Sequence, residues 1–151
     1  PPSPNTQGYL PMAVQNNTLI LGDEADVRAS IDVTAKKDMK SFYDNPNIKM
    51  VMDRLPDGVL IYLGTAASAG EEAYDDLVAY GKSYRQVEEL QLELTAIYMF
   101  QDAWTAGNAE DAIKDYLGTK DFTDIKVERE DSFVRAKAKI FISDFVSSLL
   151  F

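Results

Sequence analysis

Residues 125–140 alternate between apolar and charged side chains on either side of a short polar interruption, Asp131-Ser132. If that pair forms a loop, the flanking segments pair as antiparallel strands that carry most of their charged residues on one face. The register then sets charged residues opposite one another: Glu128 with Arg135, and Lys126 with Lys137. The other face is apolar and contains Ile125, Val127, Val134, Ala136, Ala138 and Ile140. Because a shift by one residue would mix the two faces, this segment predicts a hairpin in a one-sided antiparallel sheet.

Three other segments have strand patterns. Leu90–Phe100 alternates most strongly, and its second face is polar at the start and apolar at the end. We therefore expect it to run from a solvated edge into the core. Val59–Gly64 is apolar throughout, which predicts a central strand covered on both faces. Residues 9–22 predict two short strands that meet at Asn16-Asn17, a pair that tolerates a tight turn.

Helical spacing and capping residues predict the remaining elements. Asp23 is placed as the N-cap of a first helix, with Asp26 in the capping-box position. The other predicted helices are an amphipathic one over residues 46–55, one over Glu71–Tyr84, one over Asn108–Gly118 and a short one from Asp144.

Interleaved helices and strands with two hairpins predict an α+β fold. We expect an antiparallel or mixed sheet of about five to six strands, with the helices packed mainly on one face. Residues 1–8 contain three prolines and no periodicity, and they predict a flexible tail or linker. Residues 9–151 are predicted to form a single domain.

Composition excludes several chemistries. The chain has no cysteine and no histidine, so thiol catalysis, histidine-based triads and Cys/His zinc sites are ruled out. Its net charge of −10 disfavours nucleic acid and anionic lipid as partners. No apolar run is long enough to span a bilayer. Carboxylate-based catalysis or a hard-cation site stays open.

The segment "LILGDEAD" places a strand, a glycine and a helix start in the order that phosphate-binding loops use. Its first turn carries Asp23, Glu24 and Asp26, which would repel a phosphate and which already cap the helix. The acid pairs at 71–72, 75–76 and 88–89 consist of adjacent residues, whose side chains point in different directions. The sequence thus predicts no catalytic residue, no metal ligand and no cofactor. A set of aromatic residues that could line a pocket is expected to be core instead: Tyr80, Tyr84, Tyr98, Phe100 and Trp104.

Arg135, Lys137 and Lys139 form the one basic row, and alternation places all three on a single sheet face. Such a row could bind an acidic partner. The alternative is cross-strand pairing with Glu128 and its neighbours.

Two stretches resemble a family of bacterial extracytoplasmic domains of unknown function, in which a strand ending in glycine leads to an acid and a "VRxxID"-like helix. A later "LPD" pattern leads into an apolar strand. The matching positions are Leu19–Gly22, Ala25–Ile31, Leu55-Pro56-Asp57 and Val59–Tyr62. The resemblance implies a secreted or membrane-tethered protein, and it supplies no catalytic residues.

These observations favour a non-catalytic extracytoplasmic domain that binds or positions another protein or a cell-surface component. One alternative is a carboxylate-based hydrolase or small-ligand-binding protein, which predicts a cleft with paired acids and an aromatic floor. Another is an intracellular, oligomeric regulatory domain.

Overall fold

The computed structural model describes residues 12–15, 18–21, 44–69 and 74–150. The chain divides into two units, Pro1–Ser41 and Phe42–Phe151. In the first, β1 (Met12–Gln15) pairs antiparallel with β2 (Thr18–Leu21), and Gln15 lies opposite Thr18, as the predicted hairpin requires. The tail at 1–8 and the helix start with Asp23, Glu24 and Asp26 lie outside the described residues. The single domain over 9–151 stays a prediction.

The second unit contains a five-stranded antiparallel sheet with strand order β3-β4-β5-β7-β6. Its strands are β3 (Leu60–Thr65), β4 (Leu77–Glu88), β5 (Gln91–Phe100), β6 (Thr123–Glu130) and β7 (Phe133–Phe141). Its helices are α1 (Pro46–Met52), α2 (Ala103–Gly118) and α3 (Ile142–Leu150), and a 3₁₀ turn covers Ala66–Ser68. The predicted α+β class is confirmed. Within the described residues, no helix combines the length and apolar character needed to cross a lipid bilayer.

One face of the sheet forms the main core beneath α2 and α3. Even-numbered side chains of β5 and β7 point to this face, and they pack against buried positions of α2 spaced three or four residues apart: Ala106, Ala109, Ile113 and Leu117. Phe145 of α3 packs on Tyr84, with ring centroids 4.6 Å apart. Burial of one such large apolar side chain contributes about 1.5–3 kcal/mol. The apolar side chains buried on this face therefore make the larger contribution to the stability of the described fold.

Helix α2 begins at Ala103, earlier than predicted, because Asp102 caps it. The Asp102 carboxylate accepts hydrogen bonds from the Thr105 backbone N–H at 2.8 Å and from the Thr105 hydroxyl at 3.0 Å. These bonds, the backbone one first, hold the pKa of Asp102 below its usual value of 3.8.

The second face, which we call the charged face, is covered at one end by a helix among the residues that the structure describes. Helix α1 places Ile48 and Val51 there, against Ala79 and Ile97. Asn45 caps this helix by accepting a hydrogen bond from the Asn47 N–H at 2.9 Å, and Pro46 stands at its first position. The helices thus lie mainly on one face, as predicted, with α1 on the other.

Two predictions about strands were wrong. Glu71–Tyr84 was predicted as a helix, but Leu77–Glu88 is strand β4, because pairing on both sides with β3 and β5 overrides a helical spacing of apolar residues. Val59–Gly64 was predicted as a central strand, yet β3 is the outermost of the described strands on its side of the sheet, and Ile61 and Tyr62 are 45% and 41% exposed.

Candidate functional site

The β6–β7 hairpin has the predicted register. Glu128 pairs with Arg135 and Lys126 with Lys137, and Asp131 in the loop adopts a φ of 51°. Odd-numbered residues of β7 and even-numbered residues of β6 therefore share the charged face. We call the four basic residues that meet there the cationic strip: Lys126, Arg135, Lys137 and Lys139.

The charge of one member of the cationic strip is balanced by a carboxylate on the neighbouring strand β6. Lys139 Nζ lies 3.3 Å from a carboxylate oxygen of Asp124. Asp124 has a φ of 53° where the β6 ladder shifts register between Thr123 and Lys126. This irregularity brings the carboxylate beside the strip. Both side chains remain partly exposed, so the pair contributes little to stability.

The other three cations, Lys126, Arg135 and Lys137, form no ion pair within the described part of the chain. Lys126 and Lys137 lie directly opposite each other, a like-charge arrangement that costs up to about 1 kcal/mol in water. A bound anion would remove that cost. The predicted pairing of Arg135 with Glu128 exists as strand register but not as an ion pair.

The carboxylate on β5 beside the cationic strip already forms an ion pair with another residue. Glu93 lies opposite Lys139, but its Oε1 accepts a hydrogen bond from Arg85 Nη2 at 2.8 Å. Thr95, opposite Lys137, is buried and uncharged. The positive charge of Lys137 is therefore not balanced from β5.

Two surface features border the strip. An open depression of about 490 Å³ is lined by Lys126, Lys137 and Lys139 together with Glu93 and Asp124. At the other end, the Arg54 guanidinium lies 3.9 Å from the centroid of the Phe133 ring. Because alternate residues of a strand are about 6.7 Å apart, the β7 cations match carboxylates at every second position of an extended partner segment.

The adjacent acidic pairs noted in the sequence do not come together to form a carboxylate site within the described residues. Asp75 and Asp76 are exposed in a turn before β4, and Glu88 and Glu89 are exposed at the β4–β5 turn. The pair at 71–72 lies outside the described residues. Over the described ranges, no three acidic side chains gather as a metal ion would need.

The predicted aromatic set divides into core and surface. Tyr84, Tyr98 and Phe100 are buried, as expected, and the Tyr80 hydroxyl donates a hydrogen bond to Ser68 O at 3.0 Å. The prediction of a core position for Trp104 was wrong: it is 76% exposed, because it lies in the first turn of α2 outside the buried stripe of that helix. It lines a cleft of about 300 Å³ with Tyr74, Asp75, Asp76 and residues of α2.

Sequence reasoning also left Lys126 and Arg54 out of the candidate site. The hairpin register already placed Lys126 on the face of Arg135 and Lys137, so that signal was present. Arg54 follows α1 and reaches Phe133 only through tertiary packing, for which the sequence carries no pattern.

Comparison with protein-family models, with curated proteins and with solved structures returns no match for the chain. The extracytoplasmic family suggested by Leu19–Gly22 and Leu55-Pro56-Asp57 therefore stays an expectation.

Proposed function

We propose that this chain is a non-catalytic binding domain that docks an acidic, extended segment of a partner protein on the cationic strip, and that it does so outside the cytoplasm, at the cell surface. The observation that carries the proposal is the set of three cations that form no ion pair with any residue the structure describes, on one face of a chain whose net charge is −10.

The charge distribution supports this choice of partner. An acidic protein gains solubility from its net charge, so a local cluster of like-charged lysines has no benefit for the isolated chain. Lys126 opposite Lys137 is destabilising by itself and becomes favourable when a carboxylate lies between the two ammonium groups. Such contacts add specificity and association rate more than affinity.

Binding of a fluorescently labelled oligo-glutamate peptide, followed by anisotropy at low salt, tests the docking. Arg135→Gln with Lys137→Gln should weaken binding about 2- to 30-fold, since each exposed ion pair contributes about 0.2–1 kcal/mol. The matched control is Lys49→Gln with Lys114→Gln, two exposed lysines on helices α1 and α2. Equal loss in both double variants, or equal binding of an oligo-lysine peptide, would contradict the proposal.

The proposed location is supported by the resemblance at Leu19–Gly22 and Ala25–Ile31. It predicts that protease added to intact cells of the natural host degrades the protein and spares a cytosolic marker. Survival of the protein together with that marker would refute the location.

A second candidate function is small-ligand binding at the Trp104 cleft, where an aromatic wall meets Asp75 and Asp76. Carboxylates beside an exposed indole suit a small organic cation. Trp104 is the one tryptophan of the chain, so its fluorescence reports on this cleft alone. Saturable quenching by tetramethylammonium that is lost in Asp75→Asn with Asp76→Asn would support this candidate, and an unchanged spectrum would exclude that ligand class.

A further inference from the structure

The outer edge of β3 has a composition that suits an interior strand. Leu60–Thr65 contains no charged residue, and the described strands pair with it on one side only, through β4. Its exposed side chains are apolar or aromatic: Val59 just before it is 73% exposed, Ile61 45% and Tyr62 41%. An exposed apolar edge of this kind is a template for pairing with another strand.

The opposite edge of the same sheet is built differently. Strand β6 carries five charged residues among its eight, and its ladder is interrupted by a register shift near Asp124. Charges and irregular pairing are common devices that keep an edge from pairing with other chains. As far as the described strands go, the sheet thus has one protected edge and one unprotected edge.

Strand β3 presents its edge in a fixed and regular form. Its pairing with β4 runs without a register shift from Leu60 to Thr65. The rings of Tyr62 and Tyr84 form an edge-to-face contact, with their centroids 6.4 Å apart. At the end of the strand, the Ser68 hydroxyl donates a hydrogen bond to Thr65 O at 2.9 Å. Alternate N–H and C=O groups of an edge strand point outward, away from its neighbour.

We propose that two copies of this chain associate through their β3 edges, which pair antiparallel and make one continuous sheet across the dimer. Two molecules of net charge −10 repel each other, so they approach most easily where neither surface carries charge. The β3 edge meets that condition, and every copy supplies an identical partner for it. Symmetric pairing uses both β3 edges, so assembly stops at two copies.

Symmetry restricts the register of this interface. A twofold axis perpendicular to the sheet keeps each face continuous, so residues of one face lie opposite residues of the same face. The centre of the interface is then a residue opposite its own copy, and the candidates are the two exposed residues of β3, Ile61 and Tyr62. The inference is independent of the proposed function, because the cationic strip lies on β6 and β7, at the other side of the sheet.

Light scattering after size exclusion tests the dimer over a range of concentrations. The wild-type chain should approach twice its 16.8 kDa as concentration rises, and Ile61→Lys should stay at 16.8 kDa. Ile61→Thr, which keeps a β-branched residue in the strand, should weaken the dimer in the same direction. Near-UV circular dichroism and thermal unfolding show that each variant is folded. A wild type that stays monomeric, grows beyond two copies, or dimerises equally well as Ile61→Lys would overturn the inference.

Cross-linking locates the contact directly, because the 151-residue sequence contains no cysteine. Mild oxidation of Ile61→Cys or Tyr62→Cys should give a disulfide-linked dimer, since a disulfide needs Cβ atoms about 3.5–4.5 Å apart. Glu128→Cys on β6 is the matched control, and it should stay monomeric. If neither β3 variant cross-links, or if Glu128→Cys cross-links as readily, the contact does not lie at β3.

Discussion

Replacing Gly81 with alanine should destabilise this protein, although alanine usually suits a strand better than glycine. Gly81 lies in β4 beneath helix α1, at the covered end of the charged face. A Cβ atom there would lie 2.7 Å from Leu55 Cδ1, 2.8 Å from Val51 Cγ1 and 2.9 Å from Leu63 Cδ2. Ordinary carbon–carbon contacts are about 3.5–4.0 Å, so all three groups would have to move by more than half an ångström.

Whether Gly81→Ala raises or lowers the free energy of unfolding depends on whether these side chains can move away from the new Cβ atom. The ends of Leu55 and Leu63 can rotate, but Val51 is β-branched, fully buried and fixed on a helix, so α1 itself must shift. Overpacking of this kind costs about 1–3 kcal/mol. Loss of chain entropy in the unfolded state offsets about 0.4–1 kcal/mol. The expected net loss is about 0–2.6 kcal/mol in the free energy of unfolding, or up to about 10 °C in Tm.

Urea unfolding followed by far-UV circular dichroism measures this change. Gly107→Ala is the matched control: it lies inside α2, and its new Cβ would meet the nearest Arg129 atoms at 3.7 Å, an ordinary contact. It should stabilise the protein by about 0.8–1 kcal/mol. If both substitutions stabilise the protein, α1 does not rest on Gly81 and the described packing of the charged face is wrong.

Three further predictions concern the rest of the fold. Ile113→Ala, at a position that is 0% exposed, should cost about 2–5 kcal/mol in the free energy of unfolding, whereas Lys114→Ala should change it by less than about 0.5 kcal/mol. Asp102 has a lowered pKa in the folded protein, so its contribution to stability is present above its unfolded pKa and is lost as the pH falls below 3.8. Relative to Asp102→Asn, which keeps a capping oxygen and does not titrate, the wild type should therefore lose urea stability in that range; parallel pH profiles would contradict this. A double-mutant cycle on Arg85 and Glu93 should give a coupling of about 0.2–1 kcal/mol that shrinks in 1 M salt, and a salt-independent coupling would show that the pair is not electrostatic.

Elements with a strict alternation could be predicted from the sequence. Only one register of the C-terminal hairpin separates its apolar and charged residues, and the structure has Glu128 opposite Arg135 and Lys126 opposite Lys137 as predicted. Strand β5 likewise changes from half-buried Gln91 and Glu93 to buried Thr95 and Ile97 on its second face.

Elements that depend on distant partners could not be predicted. Leu77 and Tyr80 fit a helical stripe as well as a strand, and only the neighbours β3 and β5 decide between them. The apolar character of Leu60–Thr65 indicated a strand but did not show whether it lies at the centre or at the edge of the sheet. In the candidate site, the basic row on β7 followed from alternation, whereas Arg54 on Phe133 required the docking of α1.

The docking of an acidic segment on the cationic strip is tested most directly by a two-dimensional NMR titration of the full chain with oligo-glutamate. We expect saturable chemical-shift changes at Lys126, Arg135, Lys137 and Lys139 that disappear in high salt, with the exposed side of α2 unaffected. Changes spread evenly over the surface, changes centred elsewhere, or none at low salt would contradict it.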